Sequence, residues 1–132
     1  MNIYLAGPMR GIPDFNFPAF HAAAAALREQ GHTVFNPAER DELLYGKEVG
    51  KSATGDLADA TAKGFSLQLA LAADTSWICR QANAIALLPG WEQSKGASAE
   101  KALADALGLE VIELGYWRGH LFAIPAVPWS TA

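Results

Sequence analysis

The apolar run Ala84-Ile85-Ala86-Leu87-Leu88, which ends at Pro89-Gly90, decides the fold class of this chain. A continuous apolar run of this length, bounded by turn residues, is typical of a strand that is covered on both faces. Strands of this kind occur mainly in parallel sheets that carry helices on both sides. We therefore expect residues 84–88 to form a central strand of a parallel sheet.

The segments on either side of this run alternate between strand and helix patterns. Residues 2–6, 33–35 and 111–114 are short and β-prone, and they predict three more strands. Residues 18–30 and 94–107 are alanine-rich and are followed by a glycine, and residues 64–81 have the length and composition of a helix. Strands that alternate with helices indicate right-handed βαβ units, so we expect an α/β fold with a parallel sheet.

Two segments fall outside this pattern. Residues 38–63 are polar with little periodicity, and they predict a long connection over the substrate, with a turn of helix around 38–44. Residues 115–132 combine aromatic side chains with prolines, and we expect this tail to pack on the body of the protein or on a partner. We expect residues 1–132 to form one domain, because domains commonly hold about 100–150 residues.

The composition limits the classes of function. Apolar residues make up 51% of the chain and charged residues 18%, which excludes a disordered or coiled-coil protein. The net charge of −4 argues against a protein that binds the backbone of DNA or RNA. A single cysteine, no signal-peptide pattern and no long apolar run lead us to expect a cytoplasmic protein without a membrane partner. We expect no metal site, because metal-ligand spacing is missing among His21, His32, His120 and Cys79.

Two glycine-containing loops follow predicted strands, and ligands of open parallel sheets bind at that edge. The first loop contributes Gly7, Pro8, Met9, Arg10 and Gly11, and the second contributes Gly90, Trp91, Ser94 and Gly96. Glycines let the backbone approach a phosphate, Arg10 would add a cation, and Ser94 would cap a helix or donate its hydroxyl. The alternative is that both loops are ordinary turns with a capping serine and a surface arginine.

Three further residues could carry chemistry, and each also has a structural explanation. Glu100 lies in the first turns of a predicted helix. Either its negative charge only stabilises the helix through the helix dipole, or its carboxylate acts as a nucleophile. Asp74 interrupts an apolar stretch, either on the polar side of a helix or as a carboxyl group with a raised pKa. Tyr4 is either a core aromatic residue or a phenol that orients a carboxylate.

Three motifs in this order resemble the nucleoside 2-deoxyribosyltransferase superfamily: Tyr4-Leu-Ala-Gly-Pro-Met-Arg10, Asp74 with Trp77, and Ser94-x-Gly96-x-x-x-Glu100. The chain is most similar to the 2′-deoxynucleoside 5′-monophosphate N-glycosidases and their small phage and bacterial relatives, particularly in Leu88-Pro-Gly-Trp-Glu-Gln-Ser-Lys-Gly-Ala97. The resemblance spans about residues 2–114. It implies a flavodoxin-like (Rossmann-like) three-layer sandwich with a parallel sheet of four or five strands, assembled as a homodimer or higher homo-oligomer.

The resemblance also implies a role for each motif residue. Glu100 matches the nucleophile that attacks C1′ of the sugar, Asp74 matches the acid that protonates the departing base, and Tyr4 matches the phenol that holds the nucleophile. Positions around the 5′-phosphate are matched by Gly7, Arg10, Ser94 and Gly96. Two positions depart from the family pattern, since Pro8 replaces a serine that donates to the phosphate and Asn83 replaces an aspartate.

The resemblance therefore leads us to expect hydrolysis of the N-glycosidic bond of a (deoxy)nucleoside 5′-monophosphate through a covalent glycosyl-enzyme. Two carboxyl groups suit this reaction, because its oxocarbenium-like state needs a nearby anion and the base needs an acid. No cofactor is required, and the partner is a small nucleotide or nucleoside rather than a nucleic-acid polymer. Three alternatives stay open: base exchange through the same intermediate, a non-catalytic protein that binds a nucleotide-derived ligand, and an assembly subunit.

Overall fold

The computed structural model describes residues 1–125 of the protein. Over this range the chain forms a mixed α/β fold with five strands and five α-helices. The strands are β1 (Asn2–Ala6), β2 (Thr33–Phe35), β3 (Ala84–Leu87), β4 (Glu110–Trp117) and β5 (His120–Ala123). The helices are α1 (Phe17–Glu29), α2 (Pro37–Tyr45), α3 (Leu57–Thr61), α4 (Leu67–Gln81) and α5 (Lys95–Ala106). Short 3₁₀ helices cover Pro13–Asn16, Lys47–Gly50 and Trp91–Gln93.

The strand order in the sheet is β2-β1-β3-β4-β5. The first four strands are parallel, as the alternating pattern predicts. The expectation of a purely parallel sheet is wrong at the last strand, because β5 pairs antiparallel with β4. Only Arg118 and Gly119 connect the two strands, both with positive φ (50° and 81°), and so short a connection makes a hairpin rather than a crossover.

Alternation along β1 explains why both faces of the sheet are covered. Ile3 and Leu5 pack on one face with side chains of α1, and Tyr4 and Ala6 pack on the other with side chains of α4 and α5. β3 lies between β1 and β4, and residues 84–88 are fully buried, as their apolar pattern predicts. The carboxyl ends of the parallel strands therefore meet at one edge, between the two helical layers.

The segment 38–63 is more helical than the sequence predicts. It contains most of α2, a 3₁₀ helix and all of α3, so the expectation of a largely irregular connection is wrong. Asn36 caps α2 by accepting a 3.0 Å hydrogen bond from the Ala38 backbone nitrogen, and Pro37 is the first helical residue. This pair starts a helix regardless of the weak periodicity that follows.

The predicted tail begins as the second half of β4 and continues into β5. Tyr116, Trp117 and Phe122 are 50%, 67% and 41% exposed on this hairpin, so they are not packed on the body of the protein. Trp129, which also motivated the expectation of packing, lies outside the described residues. Within residues 1–125, no helix has both the length and the apolar character that crossing a bilayer requires.

Candidate functional site

A cavity of about 120 Å³ lies beyond the carboxyl end of β1, where residues from β1, α1, α2, α4 and α5 meet. Its polar side chains include Tyr4, Arg10, Asp41, Asp74, Ser94 and Glu100. Its apolar wall includes Phe15, Phe17, Phe20, Val49 and Phe65. A hollow with an apolar wall and a few converging polar groups has the form of a small-molecule site.

Tyr4 and Glu100 form the central contact of this cavity. The Tyr4 hydroxyl donates a 2.6 Å hydrogen bond to Glu100 Oε2, although 96 positions separate the two residues in the chain. The Tyr4 ring is buried by stacking on Phe35, with ring centroids 5.5 Å apart, and it lies 6.4 Å from the Trp77 ring. Tyr4 is therefore both a core aromatic residue and the partner of a carboxyl group.

Asp74 lies on the buried face of α4. Ala70, Asp74 and Ile78 are the buried residues of this helix, and their spacing of four positions places them on one side. Arg40 Nη1 lies 3.3 Å from Asp74 Oδ1 and also donates to the Ala70 carbonyl at 3.2 Å. The alternative that Asp74 occupies the polar side of its helix is therefore excluded.

The two buried carboxyl groups have raised pKa values. Burial raises the pKa of Glu100 to about 8 and the charge of Asp74 adds to this effect, whereas the Tyr4 hydrogen bond opposes it. Burial raises the pKa of Asp74 to about 6, and the charge of Arg40 opposes this increase. Between these values Asp74 and Glu100 together hold one proton, so this pair consists of one acid and one anion near neutral pH.

The sequence patterns did not identify two residues of α2, Asp41, which lines the cavity, and Arg40, which pairs with Asp74. Asp41 is only 5% exposed and lines the cavity, and burial raises its pKa to about 7. Both residues follow the carboxyl end of β2, and they lie in the helix that Asn36-Pro37 begins. The rule that ligands bind beyond the carboxyl ends of strands, applied to β2, would have pointed to them.

A larger groove of about 580 Å³ adjoins the cavity. Six of the predicted binding residues line it: Pro8, Arg10, Gly11, Gly90, Ser94 and Gly96. Arg10, Ser94 and Gly96 also line the inner cavity, together with Gly7 and Met9. Within residues 1–125 no carboxylate forms an ion pair with the exposed Arg10 guanidinium. The groove therefore joins a cation and the start of a helix to the carboxyl-lined cavity.

Some predicted binding residues have structural tasks in these loops. A Cβ atom at Gly7 would lie 2.7 Å from the Leu88 Cβ atom, so glycine is needed there for packing. The Gly11 backbone N–H donates to the Gly55 carbonyl at 2.9 Å and is engaged within the protein.

Ser94 and Trp91 also take part in the packing and capping of α5. Ser94 caps this helix by accepting a 3.2 Å hydrogen bond from the Ala97 backbone nitrogen, which leaves its own hydroxyl proton to donate. Trp91 packs beside the core and under the Lys101 ammonium group, which lies 5.8 Å from the centroid of its ring. Trp91 is a lining residue of neither the cavity nor the groove.

The charged cluster differs from a metal centre. Across the part of the chain that the structure describes, no group of three or more histidine, cysteine, aspartate or glutamate residues is arranged to hold a metal ion. The cavity instead offers a phenol and three carboxyl groups, one of which, Asp74, pairs with the Arg40 guanidinium. This set is suited to proton transfer and to stabilising positive charge on a ligand.

Comparison with protein-family models matches residues 1–113 to the domain of unknown function DUF4406. Comparisons with curated proteins and with solved structures gave no match. The matched range includes every residue that lines the cavity and the groove, and it ends within β4. The site therefore lies in the part of the chain that the family model describes.

Proposed function

We propose that this chain, which belongs to the DUF4406 family, hydrolyses the N-glycosidic bond of a (deoxy)nucleoside 5′-monophosphate. The observation that carries the proposal is the meeting of Tyr4, Asp74 and Glu100 in one buried cavity that adjoins a groove lined by glycines. The resemblance to the deoxyribosyltransferase superfamily assigns chemistry to these same three residues. The parallel order β2-β1-β3-β4 also occurs in flavodoxin-like sheets, and it supports this assignment.

In the proposed mechanism, Glu100 and Asp74 act in two successive displacements. The Glu100 carboxylate attacks C1′ as the bond from C1′ to the base nitrogen breaks, and Asp74 donates its proton to the departing base. Water then attacks C1′ of the glycosyl-enzyme, and the Asp74 carboxylate accepts its proton. This step releases the sugar phosphate and restores both carboxyl groups, so the configuration at C1′ is retained.

The protonation of the pair must adjust when substrate binds. Without substrate the higher pKa belongs to Glu100, so the shared proton lies on the residue that must act as the anion. The hydrogen bond from Tyr4 and the positive charge that develops at C1′ both favour ionised Glu100. Substrate binding therefore has to transfer the proton to Asp74, where the departing base needs it.

The groove supplies the binding site for the phosphate in this proposal. Arg10 would pair with the phosphate oxygens, Ser94 would donate its hydroxyl, and the start of α5 at Lys95 and Gly96 would place backbone N–H groups nearby. A net-negative protein can bind a dianion in this way, because the local groups outweigh the net charge of −4.

The test is release of free base from the four common deoxynucleoside 5′-monophosphates. We expect activity in the wild type and a loss of about a thousandfold or more in Glu100→Gln and Asp74→Asn, the range typical of lost acid–base or nucleophilic groups. Glu110→Gln, at an exposed position of β4, is the matched control and should retain full activity. Equal rates in the wild type and Glu100→Gln would remove Glu100 from the mechanism.

A second measurement tests the covalent intermediate. Acid-quenched wild-type protein should carry the mass of one sugar phosphate on the peptide that contains Glu100, and the Glu100→Gln variant should carry none. Addition of a foreign free base separates hydrolysis from base exchange, since exchange yields a new nucleotide.

A non-catalytic binding protein is the second candidate function, and the raised pKa of Glu100 favours it, because a protonated carboxyl group is a poor nucleophile. Nucleotide that stays bound to the wild type and is recovered intact would identify that function.

A further inference from the structure

Asp41 is a buried carboxyl group for which the proposed mechanism has no task. It is 5% exposed, and no donor within residues 1–125 forms a hydrogen bond with its buried Oδ1 atom. A buried carboxylate oxygen without a donor is costly to the fold. This oxygen belongs to a residue that lines the cavity, where a ligand can supply the donor that the protein does not.

The position of Asp41 relative to the other carboxyl groups indicates which part of a ligand it meets. The helix α4, which carries Asp74, packs against both α2, which carries Asp41, and α5, which carries Glu100. Arg40, next to Asp41 in α2, reaches Asp74 at 3.3 Å. This packing places Asp74 between the other two. In the proposed mechanism Glu100 meets C1′ and Asp74 meets the base nitrogen that leaves, so Asp41 lies on the side of the base that is remote from the sugar.

The surroundings of Asp41 also suit a nucleobase. The cavity wall carries the aromatic rings of Phe15, Phe17, Phe20 and Phe65, which offer apolar faces to a flat ring. Arg40, next in sequence, is paired with Asp74 and the Ala70 carbonyl. The cavity therefore combines an apolar wall with an acceptor at Asp41.

We infer that Asp41 accepts a hydrogen bond from the exocyclic amino group of the base, and that the preferred substrates are nucleotides of adenine and cytosine. This inference rests on the proposed function for its choice of ligand. Adenine and cytosine present an amino donor where hypoxanthine and uracil present a carbonyl oxygen. An ionised Asp41 binds the donor and repels the carbonyl oxygen, so replacement of the amino group by oxygen should cost most of the affinity.

The test measures affinity rather than turnover, so that it stays informative if no nucleotide is cleaved. Dissociation constants are measured by calorimetry on Glu100→Gln, at a pH about one unit above the pKa of Asp41 so that its carboxyl group is ionised. The probes are two matched pairs, deoxyadenosine and deoxyinosine 5′-monophosphate, and deoxycytidine and deoxyuridine 5′-monophosphate. We expect the amino member of at least one pair to bind at least about tenfold more tightly.

The variant Asp41→Asn, made in the same Glu100→Gln background, assigns this preference to one residue. Asparagine has the same shape and offers both a donor and an acceptor, so the preference should fall to about twofold or less. Asp105→Asn, an exposed position on α5, should leave the preference unchanged. Equal affinities for the two members of each pair would overturn the inference without any Asp41 variant. A preference for the amino nucleotides that persists in Asp41→Asn would also overturn it.

The outcomes also separate this inference from the proposed function. Base release by the wild type with no preference within either pair would retain the proposed function and refute the role of Asp41. Selective binding of the amino nucleotides without cleavage would retain the role of Asp41 and refute the hydrolase. Failure of all four nucleotides to bind would refute both.

Discussion

Replacement of Glu100 by glutamine should make the protein more stable at neutral pH. Glutamine keeps the size of the side chain, and its amide oxygen can accept the hydrogen bond from the Tyr4 hydroxyl. It cannot ionise, so it removes the cost of burying a charge in the cavity. An active-site group that is buried for its chemistry lowers the stability of the fold, so its replacement is expected to raise stability and to lower activity.

The magnitude follows from the pKa of Glu100, which burial raises from 4.5 to about 8. Because the folded-state pKa is the higher one, the stability from protonated Glu100 is fully present below about pH 4.5 and is lost as the pH rises toward 8. Each pKa unit corresponds to about 1.4 kcal/mol, so the wild type loses about 3 kcal/mol by pH 7 and about 5 kcal/mol above pH 8 through this group.

Urea unfolding of the wild type and Glu100→Gln at acidic, neutral and mildly alkaline pH measures this difference. We expect similar stability near the unfolded pKa of Glu100 and an advantage for the variant that reaches about 3 kcal/mol at neutral pH. Glu110→Gln, at an exposed position, should follow the wild type throughout. Two parallel pH curves, or a variant less stable than the wild type at neutral pH, would refute the reasoning.

Four further predictions concern the catalytic pair, the loops and the assembly. If the protein is a hydrolase, kcat/KM should rise near pH 6 and fall near pH 8, because activity needs one proton shared by Asp74 and Glu100; initial rates across pH check this. Gly7→Ala should destabilise the protein by about 1–3 kcal/mol in urea unfolding, because its Cβ would overlap the side chain of Leu88. Ser94→Ala should lower stability by about 1 kcal/mol through loss of the helix cap, which thermal unfolding measures. The exposed aromatic residues of the β4–β5 hairpin should support self-association, and light scattering should give at least twice the mass of one chain.

Most of the fold could be predicted because its signals are local. The apolar run of β3 indicates burial on both faces, and the capping residues and glycines around the helices indicate where the helices begin and end. The antiparallel β5 depends on a turn at Arg118-Gly119 between two β-prone segments, whereas the aromatic and proline content of the tail favours a prediction of packing. The helix α2 was missed because its polar residues conceal the start at Asn36-Pro37.

In the candidate site, too, local patterns identify single residues, whereas tertiary contacts determine their arrangement. The sequence by itself identified Tyr4, Asp74 and Glu100 as candidate site residues, since each is a polar group within an apolar or helix-start pattern. Only the tertiary structure decided that they share one cavity, that Asp41 joins them, and that Trp91 does not. The physical reason is that periodicity and capping depend on residues within a few positions of each other, whereas a cavity depends on strand order and helix packing. Contacts between residues that are distant in the chain therefore set the burial and the pKa values of the carboxyl groups.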